Sequence, residues 1–203
     1  MQKNSELVRY LNFKGVLNTQ SIIQAFLAVD RKHFIQPDYR DDFYIDAPIP
    51  IGYGQTNSQP TTVAMMLEWL QAQPGNKILD IGSGSGWTTA LLAHLVEEKG
   101  SVIGLEFVPE LVKFGQANLA KFDFPNAKIE KAGKKLGLPG QKFDRILVSA
   151  TATSLPEELL EQLEIGGILV APVLSSIFVI EKISENEYTE TEHFGFSFVP
   201  LVE

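Results

Sequence analysis

A glycine-rich stretch in the middle of the chain combines residue types that could hold a ligand. The apolar run Lys77–Ile81 carries Asp80 near its end, and glycines follow at positions 82, 84 and 86. Because glycine has no Cβ, such a turn brings the backbone close to a bound group. A dinucleotide fingerprint would need its third glycine at Trp87, and the Gly-Lys-Ser/Thr of a phosphate loop is absent. The stretch therefore argues against phosphate cradling.

A second acidic residue, Glu106, follows the next apolar run of the sequence, which reads VIGLE. An acid at the tip of a strand can accept hydrogen bonds from both hydroxyls of a ribose. Together, Asp80, the glycine turn and Glu106 favour a nucleoside-containing ligand. A tight strand-to-helix turn beside a charged strand end, with no ligand, is the alternative interpretation of the same residues.

The other groups that often carry chemistry form no pattern. His33, His94 and His193 are far apart in sequence and have neither triad nor metal-ligand spacing, and the chain has no cysteine. We therefore expect no metal site.

The elements that must position the glycine turn alternate along the chain. Helix-like runs are predicted twice between Ser5 and Val29, and then at Thr61–Gln73, Thr88–Lys99, Pro109–Lys121 and Pro156–Leu163. Strand-like runs are predicted at Lys77–Ile81, Ser101–Phe107, Phe143–Ala150, Gly167–Val173, Ile177–Ile183 and Phe194–Pro200. This order predicts an α/β fold: a doubly wound, mostly parallel sheet with an N-terminal helical extension and antiparallel C-terminal strands.

Composition sets the broad class. The chain has 203 residues and a formal net charge of −8, which disfavours a nucleic-acid partner. It shows neither a signal segment nor an apolar run of membrane-spanning length. We expect one domain over residues 1–203, with helices and a covering loop in 1–75 and the ligand-binding sheet in 76–203. A cytoplasmic monomer that does not bind membranes is the corresponding expectation.

Several longer stretches resemble one enzyme family. The glycine turn resembles motif I of S-adenosylmethionine-dependent methyltransferases, and YIDAPIPIGYGQTNSQP resembles the signature run of protein-L-isoaspartate O-methyltransferases. RKHFIQP, SLPEELLEQLEIGGILVAPV and the C-terminal FSFVPLV are similar to further family segments. The resemblance covers roughly positions 21–202, and its long run before the glycine turn is the specific part.

The resemblance implies methyl transfer from S-adenosylmethionine to the α-carboxylate of L-isoaspartyl residues in damaged proteins or peptides, a repair reaction. It implies Ser58 as the residue that positions the reacting carboxylate, or, on the alternative reading, only as a cap for the helix after it. The implied cofactor-binding residues are Gln55, Thr56, Asp80, Gly82, Ser83, Gly84, Gly86, Glu106, Gly133 and Lys134. The implied substrate-binding residues are Ile51, Gly52, Val199, Pro200 and Leu201.

The sequence departs from the family pattern in three places. Ala132-Gly133-Lys134 stands where the family has a Gly-Asp-Gly segment whose Asp contacts adenine, Leu174 replaces a glycine, and Asn57 replaces an isoleucine. Two alternatives stay open on this account. One is a methyltransferase of the same fold with another acceptor, and the other is a non-catalytic peptide-binding relative with a weakened cofactor site.

Overall fold

The computed structural model describes residues 1–201 of the chain; positions 202 and 203, the first of which ends the C-terminal FVPLV run, lie outside the described part. Before the sheet come α1 (Asn4–Phe13), α2 (Gln20–Ala28), two 3₁₀ turns (Arg31–Phe34 and Pro37–Asp42), β1 (Ile49–Gly52), β2 (Gln55–Asn57) and α3 (Pro60–Leu70). The sheet region contains β3 (Lys77–Ile81), α4 (Trp87–Val96), β4 (Ser101–Glu106), α5 (Pro109–Leu119), β5 (Ala127–Lys131), β6 (Phe143–Val148), α6 (Glu157–Leu160), β7 (Leu163–Val173), β8 (Ser176–Ser184) and β9 (Glu187–Phe194).

The main sheet has seven strands in the order β5-β4-β3-β6-β7-β8-β9. Strands β5, β4, β3, β6 and β7 run parallel, and β8 and β9 add to the far side in antiparallel pairs. The strand order reverses between β3 and β6, where the chain after β3 crosses to one side and the chain after β5 returns to the other. Ligands of open α/β sheets bind at such a reversal, beyond the carboxyl ends of the strands.

Alternate residues of the central strands enter two different cores. Ile78 of β3 packs with the residues of α1 to α5 on one face of the sheet, whereas its neighbour Leu79 packs with Leu159 of α6 and with the loop after β5 on the other. This alternation follows from the period of two along a strand, and burial on both faces explains why these strands are almost wholly apolar. The predicted α/β class, with a mostly parallel sheet and antiparallel C-terminal strands, is confirmed.

Two boundaries differ from the sequence prediction. The predicted strand Phe194–Pro200 is wrong, because the last strand of the described chain, β9, is Glu187–Phe194, which lies between the two C-terminal runs predicted as strands. The predicted helix Pro156–Leu163 shortens to Glu157–Leu160, since Leu163 already opens β7. Strand β5 was not predicted; its sequence, AKIEK, places charged residues on an exposed edge strand and hides the apolar pattern.

Candidate functional site

A cavity of about 720 Å³ opens at the carboxyl ends of the parallel strands. Its wall combines the covering hairpin β1–β2, the glycine turn, the end of β4, the loop after β5, the loop after β6 and the C-terminal segment. Of the residues that the sequence singles out, those in the wall are Ile51, Gln55, Thr56, Gly82, Gly84, Glu106, Gly133, Lys134, Val199, Pro200 and Leu201. The structure thus brings together residues from five separate segments of the chain.

The glycine turn after β3 needs its glycines for two different reasons. Gly84 has a φ of +52°, a left-handed conformation, and turns its N–H towards β4. Gly86 has a φ of +89°, and a Cβ there would lie 2.9 Å from the Ile129 side chain and 3.1 Å from the Gly115 carbonyl oxygen. Gly86, the N-cap of α4, therefore lets the start of α4 pack closely on α5 and β5; it does not line the cavity.

Glu106 joins the end of β4 to the glycine turn. Its Oε2 accepts a hydrogen bond from the Gly84 N–H at 2.8 Å, and its Oε1 accepts one from the Val108 N–H at 2.9 Å. The side chain is buried yet lines the cavity. Each carboxylate oxygen has a second lone pair, so both oxygens retain the capacity to accept from a ligand.

Asp80 lies beneath the glycine turn and does not line the cavity. Its Oδ2 accepts hydrogen bonds from the hydroxyls of Thr88 and Thr89, in the first turn of α4, at 2.8 and 2.7 Å. Its Oδ1 is buried with no partner among residues 1–201. Burial raises the pKa of Asp80 to about 6, against the two threonine hydrogen bonds, which lower it.

Ser83 has a second unpartnered polar atom in the same turn. Its hydroxyl oxygen is buried and has no hydrogen-bond partner within the described part of the chain, and it faces a smaller pocket beside the main cavity. Unpaired buried polar atoms are uncommon because each one costs free energy. Of these two unpartnered atoms only the Ser83 hydroxyl belongs to a residue that lines a pocket, since Asp80 lines neither the main cavity nor the smaller pocket.

The covering hairpin β1–β2 places Ile51, Gln55 and Thr56 against the cavity. Its turn consists of Tyr53 and Gly54, and these two residues have positive φ, as does Gly52 at the end of β1. Gly52, exposed at the end of β1, lies outside the cavity wall, although the family resemblance implies that it binds substrate. Ile51 approaches the glycine turn closely, since a Cβ on Gly84 would lie 3.2 Å from the end of its side chain.

Ser58 faces the smaller pocket, together with Thr56 and Ser83. Its possible role as a helix cap is not what the structure shows: α3 begins at Pro60 with Gln59 as its N-cap. The carboxylate of Asp46 satisfies that end instead, accepting from the Thr61 N–H at 2.9 Å and from the Thr61 hydroxyl at 2.6 Å. The Ser58 side chain is therefore not used for capping.

The loop after β5 brings Gly133 and Lys134 into the cavity wall with no carboxylate of their own. The buried side chain of Gln162 holds this loop, because its Oε1 accepts from the Leu138 N–H at 2.6 Å and its Nε2 donates to the Leu136 carbonyl at 3.0 Å. Two acids near α6, Glu158 and Glu161, also line the cavity. Sequence reasoning did not single out these three residues.

The C-terminal segment closes the cavity on the side of β6. Thr151 donates its N–H to the Val199 carbonyl and accepts from the Leu201 N–H, both at 2.9 Å. These two bonds align residues 199–201 beside the loop after β6 without forming a regular strand. The predicted substrate-binding residues Val199, Pro200 and Leu201 thus share the cavity with the glycine turn.

Sequence reasoning also missed the buried contacts that hold residues 43–58, the covering segment, which contains the hairpin β1–β2. Arg31 is fully buried and donates to Asn57 Oδ1, and Asn57 in turn donates to the hydroxyl of Ser85 in the glycine turn. The only indication in the sequence was the RKHFIQP run, which says nothing about partners 26 residues away.

Within residues 1–201, no cluster of three or more histidine, aspartate or glutamate side chains could hold a metal ion. No helix in the described part of the chain has the length and apolar character needed to cross a membrane.

Comparison with known proteins gives a consistent result. The family model for protein-L-isoaspartate(D-aspartate) O-methyltransferase matches residues 2–203. The protein-L-isoaspartate O-methyltransferase of Methanopyrus kandleri is 41% identical, over 97% of this chain and 89% of its own length. That of Thermococcus onnurineus is 40% identical, over 96% and 91% of the two chains.

A solved structure gives the same answer for the fold. A Plasmodium falciparum protein assigned as a protein-L-isoaspartate O-methyltransferase, in complex with S-adenosyl-L-homocysteine, superposes with a TM-score of 0.88. The two chains are 29% identical, and the match covers 98% of each. Because the family model matches nearly the whole chain and these relatives are similar over most of their length, the chain belongs to the protein-L-isoaspartate(D-aspartate) O-methyltransferase family.

Proposed function

We propose that this protein methylates the α-carboxylate of L-isoaspartyl residues in damaged proteins or peptides, using S-adenosylmethionine. The observation that carries the proposal is one shared cavity, which joins the glycine turn and Glu106 to the covering hairpin and to Val199, Pro200 and Leu201. The residues proposed to bind the nucleoside and those proposed to bind the peptide therefore line the same cavity. The protein works, on this proposal, as a cytoplasmic monomer with neither nucleic acid nor membrane as partner.

The residues present fit the cofactor of the family. The glycine turn offers close backbone approach, the buried Asp80 Oδ1 and Ser83 hydroxyl lack partners, and Glu106 presents carboxylate oxygens to the cavity. Glu106 would hold the ribose hydroxyls, and the glycine turn would hold the amino-acid end, with Gln55 and Thr56 covering it. When bound, S-adenosylmethionine supplies an electrophilic methyl group on a sulfonium centre.

The acceptor needs orientation more than activation. A peptide carboxylate has an ordinary pKa near 4 and is ionised at neutral pH, so no general base is required. The chain's own residues therefore need to place that carboxylate and exclude water. Ser58 is the residue that we propose for placing it, and Ile51 with the C-terminal segment 199–201 would hold the peptide backbone. Gly52 would act from the exposed end of β1.

The adenine side is the part of the site that departs from the family pattern. Gly133 and Lys134 provide backbone and a cation where the pattern has an aspartate. Loss of one charge-assisted hydrogen bond weakens binding by about ten- to a hundredfold, which leaves a usable site if the other contacts remain. The cavity wall around Gln162 keeps this side in place.

Titration calorimetry with S-adenosylhomocysteine, followed by a methyl-transfer assay, tests the proposal. We expect micromolar binding, and methyl transfer to an isoaspartyl peptide but not to the same peptide with normal aspartate. Binding without transfer to the isoaspartyl peptide, but with transfer to a small-molecule carboxylate, would reassign the acceptor. No binding up to millimolar ligand at two temperatures would refute the enzyme proposal and favour a peptide-binding module.

A further inference from the structure

Arg31 is a buried guanidinium whose hydrogen-bond partners all lie on the covering segment. It is fully buried in the 3₁₀ turn that follows α2. Its Nη1 donates to the carbonyls of Phe43 and Ile45 at 3.3 and 2.8 Å, and its Nη2 donates to those of Ala47 and Ser58 at 2.9 and 3.0 Å. The Arg31 side chain thus holds together backbone carbonyls between positions 43 and 58, a stretch with little regular structure.

Asn57 completes this arrangement and extends it to the glycine turn. Its Oδ1 accepts from Arg31 Nε at 2.8 Å, and its Nδ2 donates to Ser85 Oγ at 3.1 Å. Asn57 and Ser85 are 4% and 3% exposed. Since the amide of asparagine has one accepting and one donating end, Asn57 suits both partners, which the isoleucine of the family pattern would not.

A stacking contact joins Arg31 to the same turn by a second route. The guanidinium carbon lies 5.4 Å from the centre of the Trp87 ring, and Trp87 is the first residue of α4. Arginine over the face of tryptophan is an attractive cation–π geometry, and burial strengthens it. Asn118 of α5 also donates to the Ser85 carbonyl at 2.9 Å, so the turn is held from both sides.

We propose that Arg31 and Asn57 are positioning residues that fix the covering segment against the glycine turn, through Asn57–Ser85 and Arg31–Trp87. Because residues 55, 56 and 58 flank Asn57 in sequence, fixing Asn57 also fixes the side chains proposed to cover the cofactor and place the acceptor. The catalytic part of this inference rests on the proposed function. The structural part, that the segment is held by these contacts, does not.

Three variants test the proposal. Asn57→Leu keeps the side-chain volume but leaves Arg31 Nε and Ser85 Oγ without a partner. Asn57→Asp restores an acceptor for Arg31, and the Ser85 hydroxyl can rotate to donate to the other carboxylate oxygen. Asn126→Leu is the matched control, because Asn126 Nδ2 donates to the carbonyls of Ala93 and Glu97 near the far end of α4.

The expected results separate positioning from folding. In Asn57→Leu the Kd for S-adenosylhomocysteine rises about tenfold and kcat falls about tenfold, as expected for lost buried polar pairs. Amide hydrogen exchange quickens in residues 43–58 and stays unchanged in the central strands. Asn57→Asp recovers both constants to within about threefold of the wild type. Asn126→Leu lowers the melting temperature and leaves Kd and kcat unchanged.

Other outcomes are equally informative. Should Asn57→Leu lower the melting temperature while kcat, Kd and segment exchange stay at wild-type values, Asn57 is a core residue only and the proposal is wrong. If Asn57→Leu does not fold, Ser85→Ala cuts the same link from the turn, and unchanged binding and exchange there would overturn it. A wild-type protein that neither binds S-adenosylhomocysteine nor methylates the peptide refutes the proposed function, whereas the exchange comparison still decides the positioning role.

Discussion

Glu106 Oε2 lies 2.8 Å from the backbone nitrogen of Gly84, and this hydrogen bond ties the end of β4 to the turn that follows β3. The acid that the sequence predicts to hold a ribose therefore fixes the conformation of the neighbouring turn. Two strands that are adjacent in the sheet thus present a single preformed edge to the cavity.

Substitution of Glu106 by glutamine tests the predicted ribose contact and the hydrogen bond to Gly84 together. A glutamine offers one accepting oxygen and one NH₂ group, so either the Gly84 or the Val108 N–H would face a donor. We expect the affinity for S-adenosylhomocysteine to fall by about ten- to a hundredfold. Calorimetry of Glu106→Gln beside Glu110→Gln, an exposed acid of α5, measures this. Equal affinities in the two variants would contradict the assignment.

Asp80 predicts a pH dependence of stability with a definite sign. Its folded-state pKa of about 6 exceeds the ordinary value, so its contribution to stability is complete at low pH and is lost as the pH rises through 6. Asp80→Asn removes this loss. We expect its free energy of unfolding, relative to wild type, to rise by about 2–3 kcal/mol between pH 4 and pH 7. Urea unfolding across that pH range measures this difference. A difference in free energy of unfolding that does not change with pH would show that burial does not raise the pKa of Asp80.

For Asp46 we expect the opposite pH dependence of stability. Hydrogen bonds from Thr61 and Lys14 oppose the effect of partial burial and lower the pKa of Asp46, so its stabilising contribution is present above its ordinary pKa and is lost as the pH falls below that value. Asp46→Asn should cost about 1–2 kcal/mol at pH 7, chiefly as a weakened cap of α3. This loss in free energy of unfolding should become smaller as the pH is lowered. A cost that grows on acidification would argue against this account, and the Asp80→Asn series run in parallel guards against a general acid effect.

Ser58 offers a clean separation of activity from stability. Its hydroxyl does not cap α3, so Ser58→Ala should leave the free energy of unfolding within about 0.5 kcal/mol of wild type. If it places the acceptor carboxylate, kcat/KM for an isoaspartyl peptide should fall about tenfold or more while the Kd for S-adenosylhomocysteine stays the same. Ser21→Ala, on the exposed face of α2, serves as control. Unchanged kcat/KM would remove Ser58 from the reaction.

The sequence predicted the central part of this molecule better than its margins. Strands such as Lys77–Ile81 are buried on both faces and read as continuous apolar runs, so their limits were visible. The missed strand β5 and the misplaced strand β9 are the two edges of the sheet, where one side meets water and charged residues such as Glu190 are favourable. Edge strands lack the pattern on which such predictions depend.

The site shows the same division. The glycine turn and Glu106 each come directly after or at the end of an apolar run, so the sequence predicted both as site residues. Arg31 could not be foreseen as a buried centre, because all but one of its partners are main-chain carbonyls, which any residue type supplies, between 12 and 27 positions away. Asp80 was assigned to the cofactor on motif position alone, and its burial beneath the turn emerges only from the way α4 packs on β3.

Leu174 leads to a final prediction, in which a substitution should stabilise the protein. It occupies the two-residue turn between β7 and β8 with a φ of +54°, a conformation that glycine and asparagine adopt far more readily than leucine. The side chain is 67% exposed, so its removal forfeits little burial. Leu174→Gly should therefore raise the free energy of unfolding by about 0.5–1 kcal/mol. Leu27→Gly, the same change at an exposed position inside α2, should lower it by about 1 kcal/mol. Chemical denaturation of both variants decides the matter: if Leu174→Gly is destabilising too, the exposed leucine makes contacts that offset its backbone strain.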